Sequence, residues 1–456
     1  MVRQVRDGIP RRALLTTMPV ALAMGWGRQA AIAQETSDAA FASLLAYCGV
    51  YRFADGHMTG VNRFITDARQ GVLLFADYHT GAVRTLLQTS RSEFAMVLGF
   101  NPKAPAEQTV HFETNDKGVV QGLLIRAPGG ADVAARKTST RDEEISFQQD
   151  DAKLAGTLTI PQGPGPHPAI LLLHGSGPST RHSFGPYPRF FSSLGMAVLA
   201  YDKRGAGRST GRRLDSSTGA PETLWPAYFP DDLAADALAA LRLLGDRPEI
   251  DPKRIGVWGS SEGGMLATQV AARSKKVAFA INSSGFMGPL WKTILYQGAA
   301  MLRASGRPEA EIAEALAFNE FWMQVARTGK EYDTFVERRA VIARSGKTGW
   351  NFYMNGAFTS LAQMRWAWDH ILTFDSLPAL SRVTCPVLGL FGQADVLTEA
   401  VVASEAMRQA LASGGNRDVT VKIIPNARHS LMEASTASRM APGVFDTLRD
   451  WLVARV

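Results

Sequence analysis

Two cysteines, Cys48 and Cys385, are all that this 456-residue chain contains. So few thiols, this far apart, exclude a disulfide-stapled scaffold and a cysteine zinc site. Both are expected to be buried and unpaired, with one disulfide between distant segments as the alternative. The eight histidines are scattered. No H-E-x-x-H pattern and no P-loop lysine motif occur, so the usual sequence signatures of a zinc protease and a nucleotide phosphate site are missing. Gly205 to Gly211 is rich in glycine but lacks the strand–helix setting of a dinucleotide fingerprint. No cofactor and no metal is therefore expected. Apolar runs are short as well. None approaches the roughly 20 residues that span a bilayer, so no stable membrane insertion of the mature chain is expected.

Excess charge of one sign is equally thin. The net charge is +7, and five arginines against one acid in the first 33 residues carry +4 of it. The remainder forms no basic stripe interleaved with aromatics, which argues against nucleic-acid binding. Those first residues have their own reading. Arg3, Arg6, Arg11 and Arg12 make a positive segment, Ala13 to Trp26 an apolar one, and Ala31-Ile32-Ala33 fits a small-x-small cleavage site. The Arg11-Arg12 pair ahead of the apolar segment looks like a twin-arginine export signal. Residues 1–33 are thus expected to be an export signal, and the mature protein periplasmic or secreted.

The rest is globular in composition, 46% hydrophobic and 20% charged. From 34 to 140 the rhythm is β-rich. Strands are predicted at Gly71 to Tyr78, Ala82 to Gln88, Glu93 to Gly99, Thr109 to Glu113 and Val119 to Arg126, with a hairpin turn at Asn115-Asp116-Lys117-Gly118. This rhythm resembles small antiparallel β-barrels that accompany some bacterial hydrolases. His57, His79 and His111 lie within it and are read as surface or packing residues. From 141 to the C-terminus, after two strands near 145–149 and 153–160, strands alternate with helices. The strands are 169–173, 197–201, 254–258, 277–281, 387–391 and 419–424. The helices are 187–194, 232–244, 262–273, 399–412 and 444–453. This order predicts an α/β fold with a doubly wound, mostly parallel sheet. Residues from about 285 to 380 interrupt it with Trp-, Phe- and Met-rich helical patterns, read as a helical cap inserted between two strands.

Chemistry concentrates at the C-terminal ends of predicted strands. VWGSSEGG, Val257 to Gly264, follows a strand and opens a helix. A turn that tight needs very small residues two before and two after its apex. Centring on Ser261 places Gly259 and Gly263 there, whereas centring on Ser260 places Trp258 and Glu262. Ser261 is the candidate nucleophile. LLLHGSGP, Leu171 to Pro178, supplies a loop whose backbone N–H at Ser176 would pair with that of Glu262 as an oxyanion hole. His174 is read as structural. A carboxylate, Asp395, ends the strand in LGLFGQAD, and an imidazole, His429, follows the next in VKIIPNARH. The order Ser261, Asp395, His429 has the roles of nucleophile, orienting acid and general base.

In these motifs, together with YDKRGAGRSTG (Tyr201 to Gly211), the chain resembles the α/β-hydrolase superfamily from about residue 145 onward. It is most similar to a bacterial branch near dienelactone hydrolases and prolyl-oligopeptidase-like catalytic domains. Many of those relatives carry His where this chain has Ser260. Asp202 and Arg204 are read as a structural hydrogen-bonded loop. The resemblance implies an exported serine hydrolase that cleaves carboxylic esters through an acyl-enzyme. Its substrate would be a small-molecule ester or thioester, with an apolar acyl group suggested by the aromatic cap. Thioesterase, acyltransferase, peptidase and a non-catalytic binding protein on the same fold are the alternatives.

Overall fold

The computed structural model describes residues 43–65, 71–100, 103–211, 230–347, 349–350, 352, 358, 360–436 and 438–456. The expected export signal and its cleavage site lie outside them. A 3-10 turn, Ser43–Tyr47, leads into eight antiparallel strands: β1 Gly49–Phe53, β2 Met58–Ile65, β3 Gly71–Asp77, β4 Val83–Gln88, β5 Glu93–Leu98, β6 Ala106–Thr114, β7 Val120–Arg126 and β8 Val133–Lys137. They close into a barrel through β1 against β8, where Tyr51 faces Lys137 and Phe53 faces Ala135. Closure removes the exposed strand edges that a small open sheet would present. Inside, Tyr51, Val61, Leu73, Leu86, Phe94, Val110, Phe112 and Leu123 pack into one cluster, so side chains fill the barrel.

The five strands expected in this region form, and β1, β2 and β8 join them. Their signals are weak for a physical reason. β8 buries one residue of five, Ala135, and so shows no alternation. β2 buries a polar residue, Asn62, against the rest of the protein. Cys48 is buried beside the barrel core, Cys385 is half-buried, and both are free thiols. The expectation of full burial therefore fails for Cys385, which sits in a short connection ahead of a strand. His57 is held by Asp55 and stacked on Phe53, and His111 approaches Glu93.

The second sheet has eight strands: β9 Thr140–Gln149, β10 Ala152–Pro161, β11 His167–Leu173, β12 Ala197–Tyr201, β13 Ile250–Ser260, β14 Ala280–Ser283, β15 Val387–Gly392 and β16 Val419–Ile424. Their spatial order is 16-15-14-13-11-12-10-9. From β12 to β16 every neighbouring pair is parallel, while β9 and β10 add an antiparallel edge. The central strands are buried on both faces, which is why they read as apolar runs without alternation. Helices α1 Tyr187–Ser193, α2 Pro230–Gly245, α3 Glu262–Arg273, α9 Ala400–Ser413 and α10 Val444–Val453 accompany it. β14 begins three residues later than its apolar run suggests. Val277 and Ala278 instead make the connection from α3, with the Ala278 N–H donating to Ile255 O.

Between β14 and β15 the chain builds the cap: α4 Leu290–Ala304, α5 Glu309–Thr328, α6 Tyr332–Arg344, α7 Leu361–Ala367 and α8 Leu377–Leu380. Most of its aromatics form a core of their own, with Phe318, Trp322, Phe335, Trp350, Phe352 and Phe358 buried together.

Barrel and sheet share another core. Leu74, Ala76, Tyr78 and Val83 of the barrel side pack with Phe184, Tyr187, Phe190 and Phe445. Polar contacts seal the seam. The Tyr78 hydroxyl donates to Pro186 O at 3.1 Å, the Arg189 N–H to Asn62 Oδ1 at 3.3 Å, and the buried Arg189 guanidinium forks onto Asp142 at 2.5 and 3.0 Å.

Candidate active site

The residues singled out in the sequence gather at the C-terminal edge of the parallel strands. Ser261 stands between β13 and α3 with φ 60° and ψ −125°, a strained conformation for a residue with a side chain. The glycines around it explain how the chain tolerates so sharp a turn. A Cβ on Gly259 would lie 2.0 Å from Gly263 O, and one on Gly263 would lie 2.1 Å from Leu173 O. Backbone meets backbone here, so neither position has room for any other residue. Ser261 N–H donates to Ser283 O at 2.9 Å, tying the turn to β14. The Ser261 side chain makes no capping bond to α3, although it occupies the N-cap. The neighbouring Ser260 ends β13 in register with Ser283. Trp258 is packed against Tyr187 and Phe191, and its indole N–H donates to Ser283 Oγ at 3.0 Å.

Asp395 follows β15 and is almost fully buried. One carboxylate oxygen, Oδ1, accepts the backbone N–H groups of Leu397 (2.7 Å) and Thr398 (2.9 Å). The other lies 2.7 Å from His429 Nδ1. A carboxylate accepts, so Nδ1 carries the hydrogen and the neutral ring leaves Nε2 with a lone pair. Nε2 is buried and has no hydrogen-bond partner among the described residues. Two positive-φ residues, Asn426 and Leu431, bend the loop that carries His429. Gly392 lets this loop approach β15, since a Cβ there would lie 2.4 Å from Arg428 O.

The loop after β11 passes beside the elbow, with a Gly175 Cβ position 3.5 Å from Ser261 Cβ. Glu262 opens α3, where the first N–H groups of a helix have no partner within it. Ser176 and Glu262 also meet through side chains, the Ser176 hydroxyl donating to Glu262 Oε2 at 3.3 Å. His174 takes no part in this cluster. Its Nε2 lies 2.5 Å from Tyr201 O, its ring stacks on Phe184, and burial pushes its pKa down to about 4. Asp202 receives the Arg181 side chain (2.9 and 3.1 Å) and two backbone N–H groups, and Arg204 forks onto Asp236. Burial opposes the Asp202 charge, but Arg181 outweighs it and holds the carboxyl below the usual range.

Several contacts around the site have no signature in the sequence. Lys203 Nζ reaches Glu262 Oε1 at 2.5 Å and Gly175 O at 3.1 Å. From the cap, the Tyr296 hydroxyl donates to Asp395 O at 2.7 Å and the Gln297 amide to Leu397 O at 3.0 Å. Each joins segments dozens of residues apart, so no local spacing marks it. No group of three or more His, Cys, Asp or Glu side chains suited to a metal ion occurs among the described residues.

A family model described as the alpha/beta hydrolase family matches residues 170–442, more than half of the chain. Esterase EstD of Thermotoga maritima is 30% identical over 210 residues, 41% of this chain and 48% of the relative. Thiohydrolase aneE of Aspergillus aculeatus is 32% identical over 140 residues, 30% of this chain and 40% of the relative. The chain thus spans about half or less of the curated relatives it matches. Among solved structures, dienelactone hydrolase from Anabaena variabilis superposes with a TM-score of 0.40 at 16% identity, covering 70% of this chain and 99% of the other.

Proposed function

From the premise that this chain belongs to the alpha/beta hydrolase family, we propose that it is a serine hydrolase cleaving carboxylic esters through an acyl-enzyme. One observation carries the reading: His429 is held through Nδ1 by buried Asp395, while its buried Nε2 has no hydrogen bond among the described residues. That is the arrangement of a base awaiting a proton. The Ser261 hydroxyl, raised on the elbow, attacks the ester carbonyl carbon and gives its proton to Nε2. The carbonyl oxygen becomes an oxyanion, and the N–H groups of Ser176 and Glu262 stabilise it. As the tetrahedral species collapses, His429 returns the proton to the departing alkoxide and the acyl group stays on Ser261 Oγ. Water, deprotonated by His429, then attacks the acyl carbon, and the second tetrahedral species collapses by breaking its bond to Ser261 Oγ, which takes the proton back from Nε2 as the acid is released. Asp395 keeps the ring in the correct tautomer and stabilises its cation.

The substrate is a small-molecule ester with an apolar acyl group. What supports this is the cap, whose helix α4 leans on the Asp395 turn through Tyr296 and Gln297 and carries half-buried Trp291. Thioester cleavage is the second reading, favoured by the similarity to a thiohydrolase. The N-terminal arginine pair supports export to the periplasm or medium, which fractionation of expressing cells would test.

A panel of esters, thioesters and amides tests the chemistry. Ser261→Ala is expected to lower kcat at least about a thousandfold on every substrate that the wild type turns over. A preference for short polar esters over apolar ones would remove the acyl-group assignment.

A further inference from the structure

Glu262 sits in an uncomfortable place for the chemistry proposed above. Its backbone N–H is one oxyanion donor. Its carboxylate accepts the hydroxyl of Ser176, which supplies the other donor. A negative charge therefore lies within one side chain's length of both donors, where the reaction must build a second negative charge. Like charges at such range raise the energy of the oxyanion in a partly buried site, where water screens them weakly.

Lys203 meets that charge. It follows β12, is almost wholly buried, and puts Nζ 2.5 Å from Glu262 Oε1 and 3.1 Å from Gly175 O. Its own N–H donates to Ser179 O at 3.0 Å, so the backbone beneath it is anchored to the same loop. Lys203, Glu262, Gly175 and Ser176 thus form one cluster joining the loop after β11 to the first turn of α3. We propose that Lys203 neutralises the Glu262 carboxylate and clamps it to the β11 loop, so that the two oxyanion donors stay in register and work in a site without excess negative charge. Lys203 is a positioning residue in this scheme, since it touches Glu262 and Gly175 O rather than the substrate. The proposal rests on the assignment of Ser261, Ser176 and Glu262 made above.

The order of effects separates charge from mere packing. Removing Lys203 alone leaves the carboxylate unopposed, and a lone charge in a buried pair is the costly state. Removing both charges should be less harmful, with only the loss of the clamp remaining. The other charged or titratable groups near the cluster are Asp202 with its Arg181 partner, the buried His174, and His429. They are common to all variants, so they cancel when each variant is divided by wild type at the same pH.

The test is steady-state hydrolysis of an activated aryl ester by wild type, Ser261→Ala, Lys203→Met, Lys203→Arg, Glu262→Gln and the double variant Lys203→Met/Glu262→Gln, with folding followed by circular dichroism. Lys203→Met should lose about 30-fold or more in kcat with KM changed by less than about threefold. The double variant should be at least about fivefold faster than Lys203→Met while staying below wild type, because the charge is gone but the clamp is lost, and Lys203→Arg should stay within about fivefold of wild type. Should Lys203→Met not fold, Lys203→Gln takes its place. A double variant as slow as the single, or an unimpaired Lys203→Met, would overturn the proposal. Ser261→Ala as active as wild type would overturn the underlying reading instead, and the clamp with it.

Discussion

The two halves of the site are held in different ways. On the serine side, the elbow is fixed by backbone packed on backbone within its own neighbourhood. Gly259 and Gly263 abut one another, and Gly263 abuts the end of β11. On the histidine side, the loop that continues from His429 is pinned from far along the chain. The Val83 N–H donates to Ser438 O and the Met440 N–H to Gly81 O, both at 2.8 Å. Arg439 donates to Thr80 O at 2.7 Å and Arg84 to Ser438 O at 3.1 Å. The turn between β3 and β4 of the barrel thus pairs with the histidine loop through one antiparallel bridge, Ala82 opposite Arg439. The serine is placed by covalent geometry and sterics, the histidine partly by a neighbouring domain. The first arrangement should fail abruptly when altered, the second gradually.

The largest effect is expected at the elbow. Gly263→Ala would drive a methyl into Leu173 O, and no side chain is free to move out of its way. We expect either insoluble protein or a thousandfold or greater loss of kcat, read from soluble yield and ester turnover. Near-normal activity in this variant would remove steric fixation as the reason for the glycines. Next comes Asp395→Asn. An amide at this position loses the carboxylate's preference for a hydrogen on His429 Nδ1, and a fall in kcat of roughly 10³ to 10⁴ is expected with the fold intact. Thermal melting alongside the kinetics separates the two.

Acid should act on the serine side first. His174 closes β11 and stays neutral because burial pushes its pKa down to about 4, against about 6.5 in an unfolded chain. The unfolded state therefore binds the proton more readily. Stability contributed by neutral His174 is intact above about pH 6.5 and declines as pH falls toward 4, by up to about 3 kcal/mol. Urea midpoints measured across that window should drop, and drop less in His174→Gln. Parallel slopes in the two proteins would contradict this.

The smallest effect is expected where the barrel meets the histidine loop. Arg439→Ala removes one side-chain hydrogen bond to backbone, worth about 1 kcal/mol, and Arg84→Ala removes the bond to Ser438 O together with those to Val83 O and Glu107. We expect kcat to fall a few fold, KM to hold, and amide exchange across 428–441 to quicken. Unchanged exchange there would mean that the barrel does not brace the loop.

The same contrast governs what the sequence could disclose. The elbow is legible because its geometry dictates residue types at fixed spacing, so Ser261 could be told from Ser260 by Gly259 and Gly263 alone. Asp395 and His429 are legible because each follows an apolar strand in the order the fold requires. The doubly wound sheet, the helices that flank it and the cap emerge from periodicity. Contacts that depend on distant segments leave no such trace. Lys203 against Glu262, Tyr296 against the Asp395 turn and the barrel against the histidine loop each join residues tens to hundreds of positions apart. Strands β2 and β8 carry weak signals for a related reason, since burial of a polar residue against another domain in β2, and exposure of most of β8, erase the alternation that marks a strand.

The central claim, that Ser261 is the nucleophile and His429 its base, is tested most directly by mapping covalent capture. Wild type, Ser261→Ala and Asp395→Asn are treated with a fluorophosphonate, digested, and the labelled peptide is sequenced by mass spectrometry. The account predicts one adduct, on Ser261, absent in Ser261→Ala and formed far more slowly in Asp395→Asn. An adduct on Ser260, or equal labelling of wild type and Ser261→Ala, would contradict it.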